Sequence, residues 1–175
     1  MLNPDYETPE FRPYVLAFGH VALAWNGWHD ALALLFKAVC GDLSSRMLTN
    51  IWNSIKSDRA QRDMLAAAIS GVYYTDLEGA GRVDKDAARI SGDVLWMLSK
   101  GDSLEDLRND ILHSSLIMKS GANGQLLIEP NSYIGHRRAI KLNSKNELLK
   151  ECEWFKKTTL ALRDLTLDMQ SSLRA

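Results

Sequence analysis

PYVLAFGHVALAWNGWHDALALLFKAVCG, residues 13–41, decides the fold. Its apolar positions Tyr14, Phe18, Val21, Trp25, Trp28, Leu32, Leu35 and Val39 recur in alternating steps of four and three. That rhythm places them on one helical stripe and predicts packing nearly parallel to neighbouring helices. Pro13 suits a first helical turn, and Gly41 suits the left-handed position that closes a helix. Ala22, Ala24, Ala31, Leu34 and Phe36 widen the stripe beyond one face. The helix is therefore expected either at the centre of the fold or at a dimer interface.

Working outward, the same periodicity predicts further helices. One spans about 44–56, with Leu48, Ile51, Trp52 and Ile55 on one face. Ser57 and Asp58 restart the chain, with Gln61 three residues after Asp58 as in a capping box, and that helix is expected to end at Gly71. Another covers about 84–100, with Ile90, Val94, Leu95 and Leu98 inside and Gly101 closing it. A new helix then starts at a Ser103 cap and ends near Lys119, where Gly121 to Gly124 break it. Leu126–Glu129 and Arg138–Leu142 flank turn residues and predict a short β-hairpin near 125–142. The last helix runs from Lys145 to about Leu173, with Leu148, Cys152, Phe155, Thr159, Leu162, Thr166, Met169 and Leu173 as its stripe. The fold class is all-α: an antiparallel helical bundle of four main helices plus shorter ones, with a small β-hairpin insertion.

At 175 residues the chain is expected to be one domain over 1–175, large enough for a core without crosslinks, with 1–12 as an extended or poorly ordered tail. The net charge of −1 excludes a global pull on nucleic acid, so any RNA binding must come from a local patch. Cys40 and Cys152 both fall on or beside apolar stripes and read as buried, reduced thiols, which points to the cytoplasm. Residues 1–13 lack the basic and apolar regions of a signal peptide, and no stretch has the length of apolar sequence needed to span a membrane.

The chemistry sits in Leu107-Arg108-Asn109-Asp110-Ile111-Leu112-His113. Arg108 is a permanent cation whose fork of donors suits phosphate. His113 can accept and donate a proton near neutral pH. On an ideal helix the two are about 140° apart and do not share a face. Asn109 and His113 do share one, so the amide is expected to orient the imidazole, and Asp110 to hold the Arg or tune the His. Two copies about a two-fold axis would bring both Arg and both His to one cleft.

Arg-x4-His with Asn directly after the Arg resembles the motif of the HEPN superfamily, small all-helical proteins that include many metal-independent ribonucleases of toxin, CRISPR-associated and other defence systems. The resemblance implies a HEPN-like domain and a homodimer that cleaves RNA with no cofactor and no metal. It implies His113 as general base toward the ribose 2′-hydroxyl or acid toward the 5′-oxygen, Arg108 as the cation for the phosphorane, Asn109 and Asp110 as supporting residues, and a 2′,3′-cyclic phosphate product. An antitoxin or other regulatory protein is implied as partner. Toxin members with Arg-x4-His-x-Tyr have their tyrosine modified by a nucleotidyltransferase antitoxin; here that position is Ser115, so modification of that kind is not implied.

Other constellations carry less. Asp110-x-x-His113 has the spacing of one half of a di-iron carboxylate site, but no second Glu-x-x-His exists to complete it. His20 and His29 read as a polar flank or interface of the first helix. Gly-rich phosphate loops, nucleophile elbows and Cys-x-x-Cys are absent from the sequence. Arg137, Arg138, Lys141 and Lys145, with His136, form a basic run that could follow an RNA backbone or simply a solvated hairpin face. The rival function is the same dimeric bundle binding a protein or nucleotide without turnover.

Overall fold

The computed structural model describes residues 8–41, 43–79, 85–120, 126–131 and 148–173, the side chains of 72–79, 85–87 and 126 excepted. Five helices and one two-stranded sheet make up these residues: α1 (Arg12–Val39), α2 (Ser45–Ser54), α3 (Asp58–Gly79), α4 (Lys85–Leu112), β1 (Leu116–Ser120), β2 (Leu126–Pro130) and α5 (Leu148–Ser172). The all-α class with a small hairpin holds, and four of the helices are long.

The stripe of α1 is buried from Val21 onward, while Tyr14 and Phe18 nearer its start are only half-buried. Val21, Trp25, Trp28, Leu32, Leu35 and Val39 are all buried, and so are Ala24, Ala31 and Phe36 from the widened face. On the widened face Ala22 is half-buried and Leu34 is exposed. In α5 every stripe residue from Leu148 to Met169 is buried. Burying a side chain of this size stabilises by about 2 kcal/mol, so the two stripes are a main source of fold stability. Gly41 has φ +56°, the left-handed conformation expected of it.

Cα packing divides the chain into two units. One comprises the chain to Trp25 together with Leu104–Thr158; the other comprises Asn26–Ser103 and Thr159–Ala175. The first has Phe11, Val21, Trp25, Leu104, Ile111, Leu148 and Phe155 in its core. The second is built on Trp28, Leu32, Leu35, Leu65, Ile69, Val94 and Met97.

Several boundaries differ from the sequence expectation, each for a physical reason. Gly101 does not end a helix: α4 is continuous from Lys85 to Leu112, through both Gly101 and Ser103. A Cβ at Gly101 would collide with the six-membered ring of Trp28, so glycine is there for close approach of that ring. Trp28 is held in turn by its Nε1–H, which donates to Thr166 Oγ1 at 3.1 Å. Gly71 lies inside α3, which runs on to Gly79; glycine alone lowers helix propensity and does not terminate.

At the start of α3 the cap is Ser57, whose Oγ accepts from the Ala60 N–H at 3.1 Å. Gln61 does not complete a capping box with Asp58. Its Nε2 instead donates to the carbonyls of Trp52 (3.2 Å) and Ile55 (3.4 Å), closing the carboxyl end of α2.

The motif helix stops at Leu112, not near Lys119. Ser114 turns back so that its Oγ donates to the Asp110 carbonyl at 2.5 Å, and the β-branched and long apolar residues that follow form β1. The hairpin therefore pairs Leu116–Ser120 with Leu126–Pro130, antiparallel, with Met118 opposite Ile128. Leu126–Glu129 is a strand as expected, but with β1 as its neighbour; the expected partner, Arg138–Leu142, lies outside the described residues.

Candidate functional site

All four motif residues belong to the first unit and stand on the last turns of α4 or just beyond it. Arg108 is half-buried. Its guanidinium carbon lies 4.9 Å from the ring centroid of Trp25, a residue of α1 that is only 1% exposed. Trp25 packs at 6.2 Å against Phe155 of α5. Stacking of this kind holds the guanidinium plane and lowers the entropic cost of using it.

Asn109 binds the arginine rather than the histidine. Its Oδ1 accepts from Arg108 Nε at 3.2 Å and from Nη2 at 2.9 Å. The link between Asn109 and His113 is through the backbone, where the His113 N–H donates to the Asn109 carbonyl at 3.1 Å. Asp110 is buried, on the core side of the helix beside Ile111.

His113 is exposed, one residue beyond α4. It lines an open depression of about 460 Å3 with Val15, Phe18, Leu112, Ser114, Ser115 and Leu116. Arg108 is therefore at the level of Trp25 on α1, and His113 at the level of Val15 and Phe18. From Phe18 to Trp25 is about two helical turns, roughly 10 Å along the axis. The two side chains thus neighbour different positions of α1.

The basic run Arg137, Arg138, Lys141 and Lys145 lies outside the described residues. Among the described residues, no cluster of three or more His, Cys, Asp or Glu is placed to hold a metal ion, and no helix is long and apolar enough to cross a membrane. Cys40 and Cys152 are free thiols. Burial pushes the Cys152 thiol up to about 12, with the neighbouring Glu151 adding to the shift.

The sequence did not reveal a polar cluster in the second unit. Arg62, 2% exposed, donates through Nη2 to Asp102 Oδ1 at 2.7 Å and through Nε to the same oxygen at 3.3 Å. Its Nη1 lies 3.4 Å from His29 Nε2, and His29 Nδ1 lies 3.4 Å from Gln61 Oε1. An arginine nitrogen can only donate, so His29 Nε2 accepts and Nδ1 carries the proton that Gln61 receives. His29 is thus a buried structural histidine, not a surface flank. The only sequence signal was its place four residues after Trp25, at the edge of the apolar stripe.

No family model matches the chain, and neither does any curated protein or solved structure.

Proposed function

We propose that this protein is a HEPN-type, metal-independent endoribonuclease of a toxin or defence system, acting as a homodimer in the cytoplasm under an antitoxin or other regulatory partner. The observation that carries the proposal is His113: an exposed imidazole at the end of α4, at the rim of an open depression, five residues after an arginine whose guanidinium is pre-oriented. Buried, fully bonded histidines such as His29 serve structure; His113 has solvent access, as an acid or base must.

The separation of Arg108 from His113 within a chain supports the dimer. Two copies about a two-fold axis supply two imidazoles and two guanidinium groups to one phosphodiester. One His113 takes the 2′-hydroxyl proton as the 2′-oxygen attacks phosphorus. The other gives a proton to the 5′-oxygen as the P–O5′ bond breaks. Arg108 balances the charge on the phosphorane. The products are a 2′,3′-cyclic phosphate and a 5′-hydroxyl.

A second reading, a dimeric protein- or nucleotide-binding module without turnover, draws on one specific observation. Arg108 already points two donors at Asn109 and lies over Trp25, as a structural arginine would. The test that separates them is incubation of purified protein with single-stranded RNA in EDTA. The proposal expects cutting that leaves cyclic phosphate ends. Absence of cutting on every RNA tried, with binding retained, favours the module; loss of cutting on chelation rules out His113 as the sole acid and base.

A further inference from the structure

The depression beside His113 has a definite chemistry. Its walls are Val15 and Phe18 from α1 and Leu112 and Leu116 from the two ends of the α4–β1 turn. Val15 is 48% exposed although it is a large apolar residue in a helix. Apart from His113, none of the lining side chains is ionisable, and four are apolar, so the walls away from His113 favour contact with an uncharged surface. With the Phe18 ring in one wall, an occupant that fits is neutral, with an apolar face and a polar edge.

The polar groups at the rim are few and their roles are separable. Ser114 Oγ donates to the Asp110 carbonyl at 2.5 Å, and the Ser115 carbonyl accepts the Asn131 N–H at 2.7 Å. Ser115 and His113 are both exposed and line the depression. A hydroxyl donates or accepts as required, so it can meet the amino or the carbonyl edge of a ring. The size of the depression is within the range of small-molecule clefts.

We propose that this depression is a nucleobase subsite: it holds the base of the nucleotide whose ribose lies at His113, with Phe18 as the aromatic contact and the phosphate outside. The assignment rests on His113 facing RNA, as proposed above. Because Ser115 reads either edge, the site favours a base over no base and discriminates weakly among bases.

The test is fluorescence titration of the full-length protein with a 2′-deoxy dinucleotide carrying 2-aminopurine, which cannot be cleaved by 2′-hydroxyl attack. Binding should quench the fluorescence, and ribose 5-phosphate, which lacks a base, should fail to compete at equal concentration. Phe18→Ala should weaken binding about tenfold or more, as loss of one base–aromatic contact does. Val15→Glu, at an exposed helix position, should do the same with an unchanged melting temperature, and it decides the matter if Phe18→Ala is unstable. Equal competition by ribose 5-phosphate, or unchanged affinity in Val15→Glu, overturns the subsite. So does a Val15→Glu variant that turns dimer into monomer without altering dinucleotide affinity, which would make the depression a contact for a second copy. Quenching by a protein that cuts no RNA leaves the subsite standing and removes the nuclease; cutting with base-independent binding does the reverse.

Discussion

At the scale of single residues, Arg108 and His113 do different work in the fold, and their substitutions should separate accordingly. Arg108→Ala removes a guanidinium stacked on a buried tryptophan and bonded to Asn109, so it should cost about 1–2 kcal/mol and lower the melting temperature by about 3–6 °C. His113→Ala removes an exposed ring and should stay within about 0.5 kcal/mol of wild type. Both should reduce RNA cleavage by about 10²-fold or more. Thermal melts run beside the cleavage assay check this. A large loss of stability in His113→Ala with no effect on cleavage would return the histidine to a structural role.

Cys152 gives a pH test at the same scale. Its folded pKa, about 12, is above the ordinary thiol value of 9.0. The native state therefore keeps a proton that the unfolded chain releases, and stability present below pH 9 is lost as pH rises through 9 to 12. Melting temperature measured against pH should fall over that window, and Cys152→Ala should flatten the fall.

At the scale of elements, Gly101 and the serines Ser103, Ser114 and Ser115 around the motif differ in meaning from the helical stripes. The stripes of α1 and α5 were legible because burial repeats along a long helix and every residue adds to the signal. Gly101 and Ser103 were misread as a stop and a restart, because a glycine required by a ring from a distant segment looks the same in sequence as a cap. Gly101→Ala is the direct check. The helix gains up to about 1 kcal/mol of propensity, but the new methyl meets the Trp28 ring, whose Cζ3 is 2.8 Å away. Overpacking of this kind costs about 1–3 kcal/mol, so the variant should melt lower. Pairing it with Trp28→Leu should give a double-mutant cycle far from additive. A more stable Gly101→Ala would mean that α4 does not lie against Trp28.

The end of α4 was also beyond the sequence. Ser114 and Ser115 carry no strong break signal, and the strand 116–120 is too short for its period to stand out. Of the candidate site, the helical setting of Arg108, Asn109 and Asp110 was legible from spacing alone. The stacking of Arg108 on Trp25 and its capture by Asn109 were not, since they depend on which helix packs alongside. The same holds for the cluster of Arg62, His29, Gln61 and Asp102, whose members come from three helices.

At the scale of the whole molecule, the central claim is that Arg108 and His113 act together across two chains. Five positions apart at the end of α4, they are offset by roughly 7.5 Å along the axis and about 140° around it, and under the proposal a second copy supplies the group that one chain holds away. Sedimentation should give a dimer at micromolar concentration. The most direct measurement is complementation: Arg108→Ala and His113→Ala chains are purified alone and also as co-expressed mixed dimers, and RNA cleavage is measured in EDTA. Each variant alone should be inactive, and the mixed dimer should recover a substantial fraction of wild-type cleavage, because one chain supplies the arginine and the other the histidine. A mixed dimer as inactive as either parent, or a wild-type monomer that cleaves at full rate, would contradict the account.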